Sequence, residues 1–118
     1  MKKNYNFQKG EKIIVKEKGK LHQIDIDKIT HITSDNNICS FHIEGERKIV
    51  FVYKVLKEIE QELMNYDYFC VNKNTIVNLA RVKTYFKKDN KAIIKLSNNE
   101  AVIISRRKLS EFLKKFNN

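Results

Sequence analysis

The chain has 118 residues, 42% of them hydrophobic, which suits one compact domain with one modest core. It is strongly basic, with 24 Lys and Arg against 14 Asp and Glu and a formal charge of +10, a balance that points toward a polyanionic partner. No apolar run exceeds Ile49-Val50-Phe51-Val52-Tyr53, too short to cross a bilayer, and the lysine-rich start leads into no apolar leader, so a cytoplasmic protein with no membrane partner is expected.

Residues 1–10 are polar, basic and aperiodic and read as a flexible tail or linker remnant, which leaves 11–118 as the folded domain. Ile13-Ile14-Val15, the polar Lys16 to Lys20, and Leu21 to Ile24 read as two strands joined by a hairpin turn. Asp25 to Ile29 has room for one helical turn before an extended stretch, Thr30 to Thr33, and Ser34-Asp35-Asn36-Asn37 marks a loop. Ile38 to Ile43 and Lys48 to Tyr53 form a second predicted hairpin, turning near Gly45. The period then changes: Val52, Val55, Leu56, Ile59 and Leu63 recur at helical spacing, with Lys57, Glu58, Glu60, Gln61 and Glu62 on the other face, predicting an amphipathic helix over 54–65.

Beyond the helix, Tyr66 to Val71 and Asn72 to Asn78 precede three extended segments, Val82 to Phe86, Ala92 to Leu96 and Ala101 to Ile104. Lys88-Asp89-Asn90 and Ser97-Asn98-Asn99 break them into a meander. Leu109, Phe112, Leu113 and Phe116 then sit at i, i+3, i+4 and i+7, predicting a short terminal helix over about 106–116 with one face on the meander. The expected fold is mostly β with these two helices.

The positive charge is uneven. Residues 1–60 hold 12 basic and 9 acidic groups, and residues 61–118 hold 12 and 5, so the field concentrates in the second half. Lysine alone is a weak witness, because 13 Asn, many Ile and no Pro are what an AT-rich coding composition produces. Arginine is a better one: only four occur, and Arg106 and Arg107 are adjacent, followed by Lys108. If Ser105 caps the terminal helix, these three cations occupy its first turn, where the helix dipole disfavours positive side chains by about 0.3–1 kcal/mol each. Such an N-terminus is a good phosphate clamp, since free backbone N–H groups and guanidinium donors face the same anion.

Asn72-Lys73-Asn74 is the second candidate, amide side chains and a lysine held between the apolar anchors Phe69-Cys70-Val71 and Ile76-Val77. Capped-turn bonding of those Asn side chains to their own backbone is the bland alternative. Asn36 and Asn37 offer the same chemistry in another loop, and Lys87 and Lys88 are further candidates for phosphate contact.

Enzyme signatures are absent: the sequence has three glycines and no phosphate loop, no HExxH and no GxSxG. His22, His31 and His42 lack ligand spacing and are expected to be ordinary, partly exposed side chains, so neither metal nor cofactor is expected. Cys39 and Cys70 read as buried or incidental thiols.

The run from Phe69 to Leu79 and the closing Ile104-Ser105-Arg106-Arg107 resemble the two most specific segments of the LytTR family of bacterial DNA-binding domains, and the likeness extends from about Ile13 to Phe116. Cys70, Asn72 and Asn74 stand where that family usually has Arg, His and Ser, and Thr75 replaces an aromatic, while the apolar frame and Asn78 agree. The resemblance implies an elongated antiparallel fold of about ten strands, with loops entering successive major grooves. It also implies double-stranded DNA as the partner, bound at promoter direct repeats by a response-regulator output domain.

Carried over by position, the DNA-binding residues are Asn36, Asn37, Asn72, Lys73, Asn74, Arg106, Arg107 and Lys108, with Arg106 suited to a guanine. A homodimer on DNA is compatible with this, and a small-molecule substrate is not expected. An RNA-binding or ribosome-associated module is the alternative, using Tyr66, Tyr68 and Tyr85 to stack bases; a histidine-dependent nuclease ranks below it. About ten residues before the fold leave no room for a receiver domain, so a stand-alone regulator and an excised portion are the two expectations.

Overall fold

A computed structural model describes residues 11–45 and 49–117; the expected tail over 1–10 and part of the Gly45 turn lie outside the described residues. The elements are β1 (Lys12–Glu17), β2 (Lys20–Asp25), β3 (Ile29–Asp35), β4 (Ile38–Ile43), β5 (Ile49–Tyr53), α1 (Leu56–Glu62), β6 (Tyr68–Asn72), β7 (Thr75–Asn78), β8 (Val82–Lys88), β9 (Lys91–Leu96), β10 (Ala101–Ile104) and α2 (Arg106–Phe116). Short 3₁₀ turns, Ile26–Lys28 and Leu79–Arg81, lead into β3 and β8. All ladders are antiparallel, in a β1-β2 pair, a five-stranded sheet ordered β5-β4-β3-β7-β6, and a three-stranded sheet ordered β10-β9-β8. The expected meander is the last of these. No helix among the described residues is long and apolar enough to cross a membrane.

Turn chemistry follows composition. Lys18-Gly19 and Asp89-Asn90 each place two successive residues at positive φ, the conformation that two-residue hairpins with primed turns need, and glycine, aspartate and asparagine adopt it at low cost.

The sheets enclose two cores. The first gathers Ile13, Val15, Ile24 and Ile26 with Ile29, Ile32, Phe41, Val52, Ile59, Leu63 and Ile76. The second gathers Phe69, Val71 and Val77 with Ile94, Leu96, Val102, Ile104 and Phe112. Successive side chains of a strand point to opposite faces, so β7 sends Ile76 into one core and Val77 into the other. This explains why all four of its residues are buried. In α2, Phe112 is fully buried and ringed by Phe69, Tyr85 and Phe116, while Leu109 and Leu113 complete the expected apolar face.

The helix expected over 54–65 is shorter, Leu56–Glu62. Val52 belongs to β5, and Val55, at the N-cap in extended conformation, has no side chain able to hold the first amides, so the helix starts late. At the other end the Leu63 amide is shared between the Ile59 and Glu60 carbonyls, and Met64 bonds to Gln61 and Tyr66 to Leu63, a tightening into three-residue turns that ends the α-helix.

Asn78 is fully buried between the sheets: its side-chain NH₂ donates to the Ile29 carbonyl at 2.8 Å and its oxygen accepts the Ala80 amide at 3.0 Å. Asn78→Leu keeps the size and removes both bonds. Each buried group left unpaired costs roughly 1–3 kcal/mol, and urea unfolding of the variant should show a loss in that range; an unchanged midpoint would remove Asn78 from the framework.

Candidate nucleic-acid interface

Three turns gather at one end of the five-stranded sheet. β3 and β7 pair antiparallel, with Thr33 opposite Thr75, and the Ser34 amide donates to the Asn74 carbonyl at 2.9 Å, so the Asn36-Asn37 turn emerges beside the Lys73-Asn74 turn. The start of α2 joins them through β6: the Ser105 amide donates to the Val71 carbonyl at 2.9 Å, and the Asn72 side-chain NH₂ donates to the Ile103 carbonyl at 2.7 Å. The Asn72 oxygen also accepts the Asn74 amide at 2.8 Å, closing the turn. Both groups of the Asn72 amide are thus engaged inside the protein.

An open cleft of about 750 Å³ runs between the Lys73 turn and β10, and Lys73, Asn74, Glu100 and Arg107 are among its lining residues. Arg106 faces away from it, into a neighbouring groove with Lys87, Asp89, Asn90 and Lys91. Asn36, Asn37, Lys73, Asn74, Arg106 and Arg107 are exposed, and among the described residues none of these three cations has an ion-pair partner. Lys108 is placed differently: it is half-buried, with its ammonium 5.7 Å from the centre of the Phe69 ring.

The first turn of α2 holds no acidic residue, and Ser105 has N-cap backbone geometry although its hydroxyl makes no capping bond. Helix N-termini leave their first amides without intrahelical partners, so in α2 these lie beside Arg106 and Arg107.

The LytTR DNA-binding domain family matches residues 19–117 of the chain. The chain belongs to that family. Its fold is similar to the LytTr DNA-binding domain of a protein from Bacillus cereus described as a methyl-accepting/DNA response regulator, with a TM-score of 0.76 over 91% of this chain and 97% of that one. Sequence identity between the two is 17%, so the likeness concerns the fold. None of the curated proteins compared with the chain matches it.

Of the three histidines of this LytTR domain, His22 and His42 are partly exposed as expected, and His31 departs from that expectation. His31 is 3% exposed and stacks on His42 with ring centres 4.0 Å apart. Their spacing in the sequence gives no hint of the pairing, because β3 and β4 bring them together only across the ladder. His31 Nδ1 lies 2.9 Å from the Thr30 hydroxyl, and Thr33 meets His42 Nε2 at 3.3 Å. Burial, then the neighbouring His42, lowers the His31 pKa to about 4, and burial also lowers that of His42. Both thiols are free and raised in pKa by burial, with Cys39 donating to the Lys54 carbonyl and Cys70 to that of Asn72.

Two outcomes follow for this region. Unfolding exposes His31 to protonation near its ordinary 6.5, whereas the folded protein takes the proton only near 4. The unfolded chain therefore holds more protons in between, and stability that is complete above about pH 6.5 is lost as pH falls toward 4. Thermal melts across that window should show the fall, and His31→Gln should flatten it. Asn72→Ala should lower stability by about 1 kcal/mol and speed hydrogen exchange at the Asn74 and Ser105 amides; unchanged exchange would deny Asn72 its tethering role.

Proposed function

We propose that this LytTR domain binds double-stranded DNA sequence-specifically, as the DNA-reading part of a bacterial transcription regulator acting in the cytoplasm. The observation that carries this reading is the meeting of three turns at one sheet end, with Lys73 and Arg107 facing one cleft and lacking ion-pair partners among the described residues. A rigid sheet presents these turns to successive major grooves, where base edges and phosphate oxygens are separately addressable.

Roles divide by geometry. In this reading Arg107, sharing the cleft with Lys73, reads a guanine edge, while Arg106, beside Lys87 and Lys91, holds phosphate. Asn36, Asn37 and Asn74 are the exposed amides available to bases, Asn72 holds two reading segments at a constant separation, and Lys108 supports α2 from its place on Phe69. Promoter direct repeats suit this surface, because copies bound head to tail need no two-fold contact between them. Base stacking on RNA is less well served: Tyr68 donates to the Ile26 carbonyl at 2.5 Å and Tyr85 packs on Phe112, so neither offers a free ring.

Selection of duplexes from a random pool supplies the ligand for the test. Arg107→Ala should lower affinity for the selected duplex by about 1–3 kcal/mol and for a scrambled one far less. Arg106→Ala should weaken both alike. Wild-type affinity should fall with salt at a log–log slope of about −0.9 per phosphate neutralised; a flat response, or no enriched sequence, would refute the reading.

A further inference from the structure

A second group of lysines lies at the same end of the sheet, unused by the three reading segments. β1 and β2 join through Lys18-Gly19, at φ 49° and 81°. β1 runs beside β5, where the Phe51 amide donates to the Glu17 carboxylate at 3.0 Å. β5 ends at Tyr53, opposite Ile38, and Ile38 is the first residue of β4 after the Asn36-Asn37 turn. Lys16, Lys18 and Gly19 share a groove with Tyr53 and Lys54, which brings the hairpin tip out next to that turn. Along this end the order is therefore hairpin tip, end of β5, Asn36-Asn37, Lys73-Asn74, start of α2.

The side of the tip that lines the groove is cationic, while the Glu17 carboxylate is engaged with the Phe51 amide and His22. Lys16, Lys18 and Lys20 are exposed, and none has an ion-pair partner among the described residues. Lys54 is already engaged, since it pairs with Glu62 at 2.5 Å. Tyr53 is 81% exposed, and no carboxylate is among the residues lining the groove. Flexible ammonium groups and a phenol, without a guanidinium or a side-chain amide, suit phosphate oxygens better than base edges.

The geometry points to a fourth DNA contact: the β1–β2 tip, through Lys16 and Lys18 with Tyr53 and with Lys20 flanking them, grips backbone phosphates beside the bases met by the Asn36-Asn37 turn. This contact lengthens the footprint on one side and rests on the DNA-binding reading above. An acidic amphipathic protein segment is the competing occupant, because Ile14 and Leu21 are exposed there. Continuity with the row of DNA-facing turns decides for the duplex, whose charge is itself a continuous row.

The test combines Lys16→Gln, Lys18→Asn and Lys20→Gln in the whole chain; asparagine tolerates the positive φ at position 18, and circular dichroism confirms the fold. Two kinds of duplex carry the selected sequence, one trimmed to the bases that selection fixes and others lengthened by about one helical turn on either side in turn. Wild type should gain affinity several-fold from extension on one side only. The variant should lose that gain, keep its affinity for the trimmed duplex, and show a salt slope on the lengthened one smaller by about 0.9 for each phosphate its lysines no longer neutralise.

No gain in wild type, an undiminished gain in the variant, or equal weakening on both duplexes would overturn the hairpin contact. So would lysine-dependent binding of a Leu/Glu amphipathic peptide without any flank effect. Failure of wild type to bind even the trimmed duplex is a distinct pattern and would count against DNA reading as a whole.

Discussion

Four consecutive backbone carbonyls, those of Ile26, Asp27, Lys28 and Ile29, tie the segment entering β3 to four other parts of the chain. The 3₁₀ turn and the bulge that follows it between Ile29 and His31 free these carbonyls from a regular ladder, and buried carbonyls without donors are costly. Each accepts from a distant segment, and the Ile26 carbonyl also takes the Ile29 amide that closes the 3₁₀ turn. The Tyr68 phenol donates to Ile26, the Arg81 guanidinium donates twice to Asp27, at 3.0 and 2.7 Å, the Glu44 amide donates to Lys28, and Asn78 donates to Ile29. Because the donors come from β6, β7, the Leu79–Arg81 turn and the end of the β4 strand, this one irregular segment sets how the sheets meet.

On the proposed reading that junction matters for DNA binding, because the Asn36-Asn37 and Lys73-Asn74 turns carry little packing of their own. The Lys73 and Asn74 side chains are exposed, yet β7 on one side is buried throughout and β6 on the other buries Phe69 and Val71. A short turn whose flanks are pinned in two cores loses little freedom when it binds, so less of the contact energy is spent on ordering it. The same pinning limits adaptation: the distance from the Lys73 turn to α2 is set by the Val71 carbonyl holding the Ser105 amide and the Asn72 side chain holding the Ile103 carbonyl.

Several strands, the turn at Asp89-Asn90 and the terminal helix are legible in the sequence because each rests on local chemistry: the short apolar runs Ile13-Ile14-Val15 and Ala92 to Leu96 between polar breaks, Asp89-Asn90 for a tight turn, and i, i+3, i+4 and i+7 spacing for α2. Periodicity overextends the first helix, since it counts apolar residues without distinguishing Val52 in a strand from Leu56 in a helix. Long-range pairing is what the sequence hides. His31 and His42 stack across a ladder, Asn72 reaches Ile103 across 31 positions, and Glu100 enters the cleft from β10's leading edge. Each depends on which strands become neighbours. The resemblance to a family narrows that question for the fold but leaves the orientation of single side chains open.

Orientation is where the two arginines part. Adjacent residues at the start of a helix project about 100° apart, so of Arg106 and Arg107 only one can share the cleft with Lys73, and that one is Arg107. A guanidinium opposite a lysine across a cleft can approach a base edge while the lysine neutralises a neighbouring phosphate. A guanidinium among Lys87 and Lys91 adds to a field that is already positive and favours the backbone instead. On the proposed reading, specificity and affinity separate by one residue step along the helix. The repulsion among cations clustered without acidic residues in the first turn of α2 has a natural source of relief in the polyanion, because the charge pattern that disfavours the free helix is the one a phosphate backbone neutralises.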